Sequence, residues 1–167
     1  MPESDLQTTP RDTLLHVADL HFWHVTLDPL RLLNKRLLGN FNVGWRRRHQ
    51  FVMERAIPYI DELVAAGPRN VLLTGDFTST SLDEEFVRAR AFVEQLRVKK
   101  FAIHLMPGNH DVYTFESVRR RRFEQYFSAF YPPDGLPARL MLPGGTPLIL
   151  VPTVCSNVVS SRGRITD

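Results

Sequence analysis

Three short apolar runs, each breaking off into a turn that carries carboxylates or imidazoles, constrain this chain more than any other feature. The clearest is the third, where Phe101 to Leu105 is closed by Met106-Pro107-Gly108-Asn109-His110-Asp111. Pro107 sets φ and Gly108 admits torsions that other residues avoid, so a tight turn there can aim Asn109 and His110 the same way from a strand end. Upstream, Thr13-Leu14-Leu15-His16-Val17-Ala18 reads as a buried strand that runs into Asp19-Leu20-His21. Asn70-Val71-Leu72-Leu73-Thr74 reads as a second, running into Gly75-Asp76-Phe77-Thr78. In extended backbone, residues i and i+2 point to one side, so Asp19 and His21 would present a carboxylate and an imidazole together, a pair suited to a divalent ion.

Between these runs the spacing is helical. Gln50 to Ala66 repeats apolar residues at Phe51, Ala56, Ile57, Ile60, Leu63 and Val64; Gly67-Pro68 stops it, and Pro58 kinks this helix or marks its true start. Ser81 with Glu84 makes a capping-box pattern ahead of Leu82, Phe86, Ala89, Val93 and Leu96, which share one helical face. Strand, crossover, helix, strand, helix, strand implies an α/β fold with parallel strands, and in such sheets functional groups gather at the carboxyl ends. Asp19, His21, Asp76, Asn109, His110 and Asp111 all lie at those ends, so three segments would pool their donors in one crevice. His104 reads as a packed or edge imidazole, and His24 and His49, with no partner at ligand spacing, as ordinary polar residues.

One helix is expected from Phe115 to Tyr131. Its run Arg119-Arg120-Arg121-Arg122 must spread around the axis, since neighbours lie about 100° apart, so at most two arginines face a site and the others form a solvated face. Pro132-Pro133-Asp134-Gly135 is a turn, and Arg139 to Leu142 with Leu148 to Pro152 should form an antiparallel hairpin around Gly144-Gly145. Residues 1–12 read as a disordered lead-in, and 13–167 as part of a single domain with an apolar-basic insertion at 22–50. That insertion mixes Leu30, Leu32, Leu33, Leu37 and Leu38 with Arg31, Lys35 and Arg36. It reads as a helix over the sheet edge, a substrate cap or a peripheral membrane contact.

With 43% apolar and 23% charged residues in 167, the balance is that of a soluble globular domain, and no apolar run approaches the roughly 18 residues a membrane span needs. The polar, acidic start does not read as a secretory signal. A single cysteine, Cys155, provides no internal disulfide framework and suits a reducing compartment, so the expected location is cytoplasmic. The arginine runs permit anionic partners, but no nucleic-acid-binding motif accompanies them, and specific nucleic-acid binding is not expected.

Asp19-Leu20-His21, Gly75-Asp76 and Gly108-Asn109-His110-Asp111, in this order and each after an apolar strand, closely resemble the first three motifs of the calcineurin-like metallophosphoesterases. The likeness runs from His16 to Asp167. Asp-Leu-His-Phe at Asp19, the stretch Asn34 to Gly39, and Ser-Arg-Gly-Arg-Ile at Ser161 are most similar to bacterial members related to cyclic-nucleotide phosphodiesterases. The resemblance implies a two-metal hydrolase of phosphate mono- or diesters on an αββα sandwich of two mixed sheets. Carried over by motif, Asp19 and His21 bind the first metal, Asp76 bridges both, and Asn109 binds the second. His110 touches the phosphate or protonates the leaving oxygen, and Asp111 orients its ring. Two divalent ions polarise phosphoryl oxygens, and mixed carboxylate, imidazole and amide donors suit manganese, iron or zinc better than calcium.

The likeness has a gap. Family members carry further histidines downstream, one alone and two in Gly-His-x-His, whereas no histidine follows His110 here. The expectation is therefore the N-terminal portion of a metallophosphoesterase domain, its second sheet incomplete and its activity dependent on the segment bearing those histidines. The alternative is a non-catalytic binding or scaffold module that keeps the fold. Within the hydrolase reading the candidate substrates are cyclic nucleotides, a phospholipid-like pyrophosphate suggested by the insertion and, least favoured, nucleic acid, since the basic runs lack a binding motif.

Overall fold

The alternation of strand and helix forms a parallel sheet, seen in a computed structural model that describes residues 13–24, 55–155 and 163. Strands β1 (Leu14–Ala18), β2 (Asn70–Thr74) and β3 (Ala102–Met106) lie side by side in that order, all parallel. Helix α1 (Ala56–Ala65) leads to β2, and α2 (Asp83–Val98) links β2 to β3. After β3 come α3 (Phe115–Arg119), α4 (Arg122–Tyr126) and an antiparallel hairpin of β4 (Ala138–Met141) and β5 (Pro147–Leu150). The lead-in 1–12, His49 and most of the 22–50 insertion lie outside the described residues. No helix described is long and apolar enough to cross a membrane.

Register decides which face of the sheet is buried. Leu15, Val71 and Ile103 stand level, as do Val17, Leu73 and Leu105, and all six point into the core with α1 and α2. The alternate levels carry His16, Leu72 and His104, and Ala18, Thr74 and Met106, which are half-buried or exposed. Parallel sheets are normally covered on both faces; among the described residues this one is covered on one.

Helix α2 buries Phe86, Ala89, Phe92, Val93 and Leu96 along one stripe, as its period requires. Its start differs from the Ser81–Glu84 expectation. Leu82 is the N-cap, and Glu85 reaches back to accept from the Leu82 N–H at 3.1 Å. Ser81 is unsuited to the cap role because its φ of 56° turns the chain left-handed and sends its hydroxyl elsewhere. Pro58 lies in the first turn of α1, where a proline costs no intrahelical bond.

The helix expected over 115–131 is two short ones. Arg121, at φ 49°, breaks it, and the break turns Arg122 inward. Arg119, Arg120 and Arg121 are exposed, as a solvated run should be, whereas Arg122 is only 7% exposed. Phe123 and Phe127 then pack on Phe77, with ring centroids 5.4 and 5.0 Å away. Phe77 is fully buried and directly follows Asp76, so this aromatic group holds the second loop against the helices. Phe77→Ala should therefore destabilise the chain by about 3–5 kcal/mol, read from the shift in urea midpoint.

Candidate metal centre

The loops leaving β1, β2 and β3 continue to pair after the strands end. His21 N–H donates to the Asp76 carbonyl at 2.7 Å and Phe22 N–H to that of Phe77 at 2.8 Å; Ser79 N–H returns a bond to Phe22 at 3.0 Å. Gly75 N–H donates to the Met106 carbonyl at 3.0 Å, tying the second loop to the third. Glu85, fully buried, anchors the first loop to α2 by accepting from the His24 N–H at 3.1 Å as well as from Thr80 and Leu82. Burial pushes its carboxyl above the ordinary range, against the pull of those donors.

Within this frame the side chains of His21, Asp76 and His110 converge, with one donor atom from each within 4.8 Å of the others. The His21 Nε2 lies 3.7 Å from a carboxylate oxygen of Asp76 and 3.7 Å from one of Asp19. The Asp19 side chain is 72% exposed, so it closes the group from the solvent side. The rings of His21 and His110 meet edge to face at 5.0 Å. One carboxylate and two imidazoles, from Asp76, His21 and His110, form a donor set that a divalent transition ion fits, with Asp19 reaching His21 but lying outside that group. Asn109, half-buried, lies between Gly108 and His110 in the third loop.

Convergence here does not come from an extended backbone. Asp19, His21 and Asp76 have φ of 57°, 49° and 46°, all in the left-handed region. Each such torsion costs of order 1–3 kcal/mol for a residue with a Cβ and persists where the surroundings over-determine it. The strain concentrates where the donors meet. Gly108 is dictated by the same crowding: a Cβ there would drive into the Asp76 amide and carboxylate and come within 2.6 Å of the Gly75 Cα.

The two residues after Asn109 divide their duties. His110 N–H donates to an Asp76 carboxylate oxygen at 2.9 Å, which fixes Asp76 relative to the third loop. Its ring Nδ1 lies 2.6 Å from the Ser79 carbonyl, which can only accept, so Nδ1 carries the proton and Nε2 is the nitrogen left for a ligand or a substrate. Tyr113 stacks on the same ring at 5.5 Å, an orienting contact with no motif of its own in the sequence. Asp111, expected to orient the His110 ring, instead accepts from Gly108 N–H at 2.8 Å, Thr78 N–H at 2.9 Å, Phe77 N–H at 3.3 Å and the Thr78 hydroxyl at 3.0 Å. Asp111 is a clasp between the second and third loops; Ser79 orients the ring.

An α/β sheet whose strand ends gather a carboxylate and two imidazoles within 4.8 Å of one another could hold a metal ion there. The profile of the calcineurin-like phosphoesterase family matches residues 13–157, and the chain belongs to that family. Membership implies metal-dependent hydrolysis of phosphoesters with divalent metals. No curated protein matches the chain.

Two predictions follow from this geometry. Gly108→Ala should cost about 1–3 kcal/mol by overpacking against Asp76, measured by denaturation, and should weaken metal binding in titration calorimetry. Burial, helped by the charge of Asp76, pushes the Asp111 carboxyl up to about 7 against the pull of its N–H donors. With the folded value above the ordinary 3.8, its contribution to stability is complete below that ordinary value and is lost as pH rises through about 7. The metal-free chain should show a carboxyl carbon titrating near 7 and a urea midpoint that falls across that pH.

Proposed function

We propose that this chain supplies the first half of a two-metal phosphoesterase site, with cyclic nucleotides or related phosphodiesters as its substrate class. The observation that carries this reading is the meeting of His21, Asp76 and His110 within 4.8 Å, with His21 and Asp76 on left-handed backbone. A scaffold that only needed the fold would not hold two of these donors under strain. Asp19 and His21 would hold one ion, Asp76 would reach both, and Asn109 would contribute its amide oxygen to the second. Bound there, divalent ions supply Lewis-acid polarisation of the phosphoryl group and an activated nucleophile.

The chain's own residues do the rest. Asp76 is held by the His110 N–H, so its carboxylate is set before any substrate arrives. The Ser79 carbonyl fixes the His110 tautomer, which presents Nε2 to the phosphate or, when protonated there, to the leaving oxygen. The β4–β5 hairpin would be the beginning of a second sheet over the open face of the first, completing the αββα sandwich. Full activity would need imidazole ligands beyond this set, because about half of a two-metal coordination sphere gives low affinity. The narrower placement, in the bacterial branch related to cyclic-nucleotide phosphodiesterases, rests on Asp19 to Phe22, Asn34 to Gly39 and Ser161 to Ile165. The leucine-arginine insertion keeps a phospholipid-like pyrophosphate as the rival substrate and a peripheral membrane contact as its corollary, in a cytoplasmic protein.

The test is manganese binding by calorimetry together with hydrolysis of bis(p-nitrophenyl) phosphate and of a 2′,3′- or 3′,5′-cyclic nucleotide. Manganese should bind, and Asp76→Asn should weaken that binding at least ten-fold and abolish any turnover. Metal binding with no turnover, even when the downstream histidine motifs are supplied, would favour the non-catalytic module; no metal binding at all would overturn the reading.

A further inference from the structure

We infer that Arg122 is a positioning residue for the His110 turn, acting through Ser81; this rests on reading that turn as part of the phosphoesterase site. Arg122 is a cation with 7% exposure in a run whose other three members face solvent. A guanidinium is withdrawn from water at considerable cost unless its donors are used. Here they are. One nitrogen donates to the Ser81 carbonyl at 2.8 Å, and the other lies 3.4 Å from Glu116 and 3.7 Å from Asp83.

Ser81 is where that grip becomes useful. It is left-handed, with φ 56°, a conformation that a serine keeps only when held. Its hydroxyl sits 2.7 Å from the His110 carbonyl oxygen and 2.8 Å from that of Asp111, and accepts the Tyr113 N–H at 3.1 Å. One fully buried side chain therefore touches the backbone of the residues that bear the ring, the clasp and the stacking partner. Arg122 fixes the carbonyl of Ser81, that fixes the direction of its hydroxyl, and the hydroxyl fixes the turn that aims His110 Nε2 and gives its N–H to Asp76. The Asp83 and Glu116 carboxylates fix the fork in turn, so the unit joins the starts of α2 and α3 to the site without touching the metal donors.

A lysine could carry the charge but not this geometry. The planar fork serves the carbonyl and the carboxylate from two nitrogens in fixed relative directions, whereas an ammonium has one nitrogen for both. Arg121, exposed and paired with Glu124, has no path to the turn, and Arg120, also exposed, shares Glu116 with Arg122 but has no contact of its own with Ser81.

The experiment is amide hydrogen exchange by NMR on the metal-free 167-residue chain, with manganese titration as a second readout, for Arg122→Ala, Arg122→Lys, Ser81→Ala and the surface control Arg119→Ala. In Arg122→Ala the His110 amide should exchange at least ten-fold faster relative to Leu73 in the core strand, and manganese binding should weaken ten- to hundred-fold, the range for losing a partner outside the ligand shell. Arg122→Lys should fall between it and the parent, Ser81→Ala should match it at the His110 amide, and Arg119→Ala should change nothing. A folded Arg122→Ala whose His110 amide exchanges within two-fold of the parent overturns the inference. Should Arg122→Ala not fold, Arg122→Lys and Ser81→Ala decide, and unchanged His110 exchange in both overturns it equally. Failure of the parent to bind manganese would count against the phosphoesterase reading alone, since the exchange comparison needs no metal.

Discussion

The structure of the site depends on one buried carboxylate. Asp111 is fully enclosed and accepts from the backbone of Phe77, Thr78 and Gly108 and from the Thr78 hydroxyl. A carboxylate taken out of water at such a position is tolerable only with donors on its lone pairs, and here every donor lies on the second or third loop. The same bonds that satisfy the charge hold the two loops together. Removal of the carboxylate would leave the Phe77, Thr78 and Gly108 N–H groups buried without an acceptor, and the loops that carry Asp76 and His110 would lose their common anchor.

Around that clasp the chain stores strain in an orderly way. Asp19, His21, Asp76 and Ser81 are left-handed, and the last three are over-determined by neighbours: a bond from His21 to the Asp76 carbonyl, the His110 amide on Asp76, the Arg122 fork on Ser81. The covered face of the parallel sheet provides the rigid base these contacts need, with Phe77 seated among Phe123 and Phe127 beneath the site. Donors held this way need little reorganisation when an ion binds, which is the physical value of placing a metal site on strained turns at strand ends.

Much of this was legible in residue order. β2 spans Asn70–Thr74 as its apolar run predicts, β1 and β3 differ from expectation by a residue, and the hairpin lies where the glycines between two apolar runs put it. The apolar period is enough for these elements because burial alone selects them. The departures have a common physical origin. The helix expected over 115–131 breaks at Arg121, and the cap expected at Ser81 moves to Leu82, because Arg122 and the Ser81 hydroxyl each bond to groups far along the chain. Local propensity cannot register a partner 29 or 41 residues away. Tyr113, whose ring stacks on His110, had no signal in sequence at all.

By itself the sequence determined which chemistry is possible here: carboxylate, imidazole and amide at the ends of three parallel strands, in an order that the family shares. Residue types and hydrophobic period are local properties, so they survive translation from sequence to fold. Only the tertiary structure decided how the donors are held: that Asp111 clasps the loops while a backbone carbonyl orients the His110 ring, that the donors meet through left-handed torsions, and that one arginine of four turns inward. Those outcomes are set by competition among distant partners for a few buried hydrogen-bonding positions, and that competition exists only once the chain has packed.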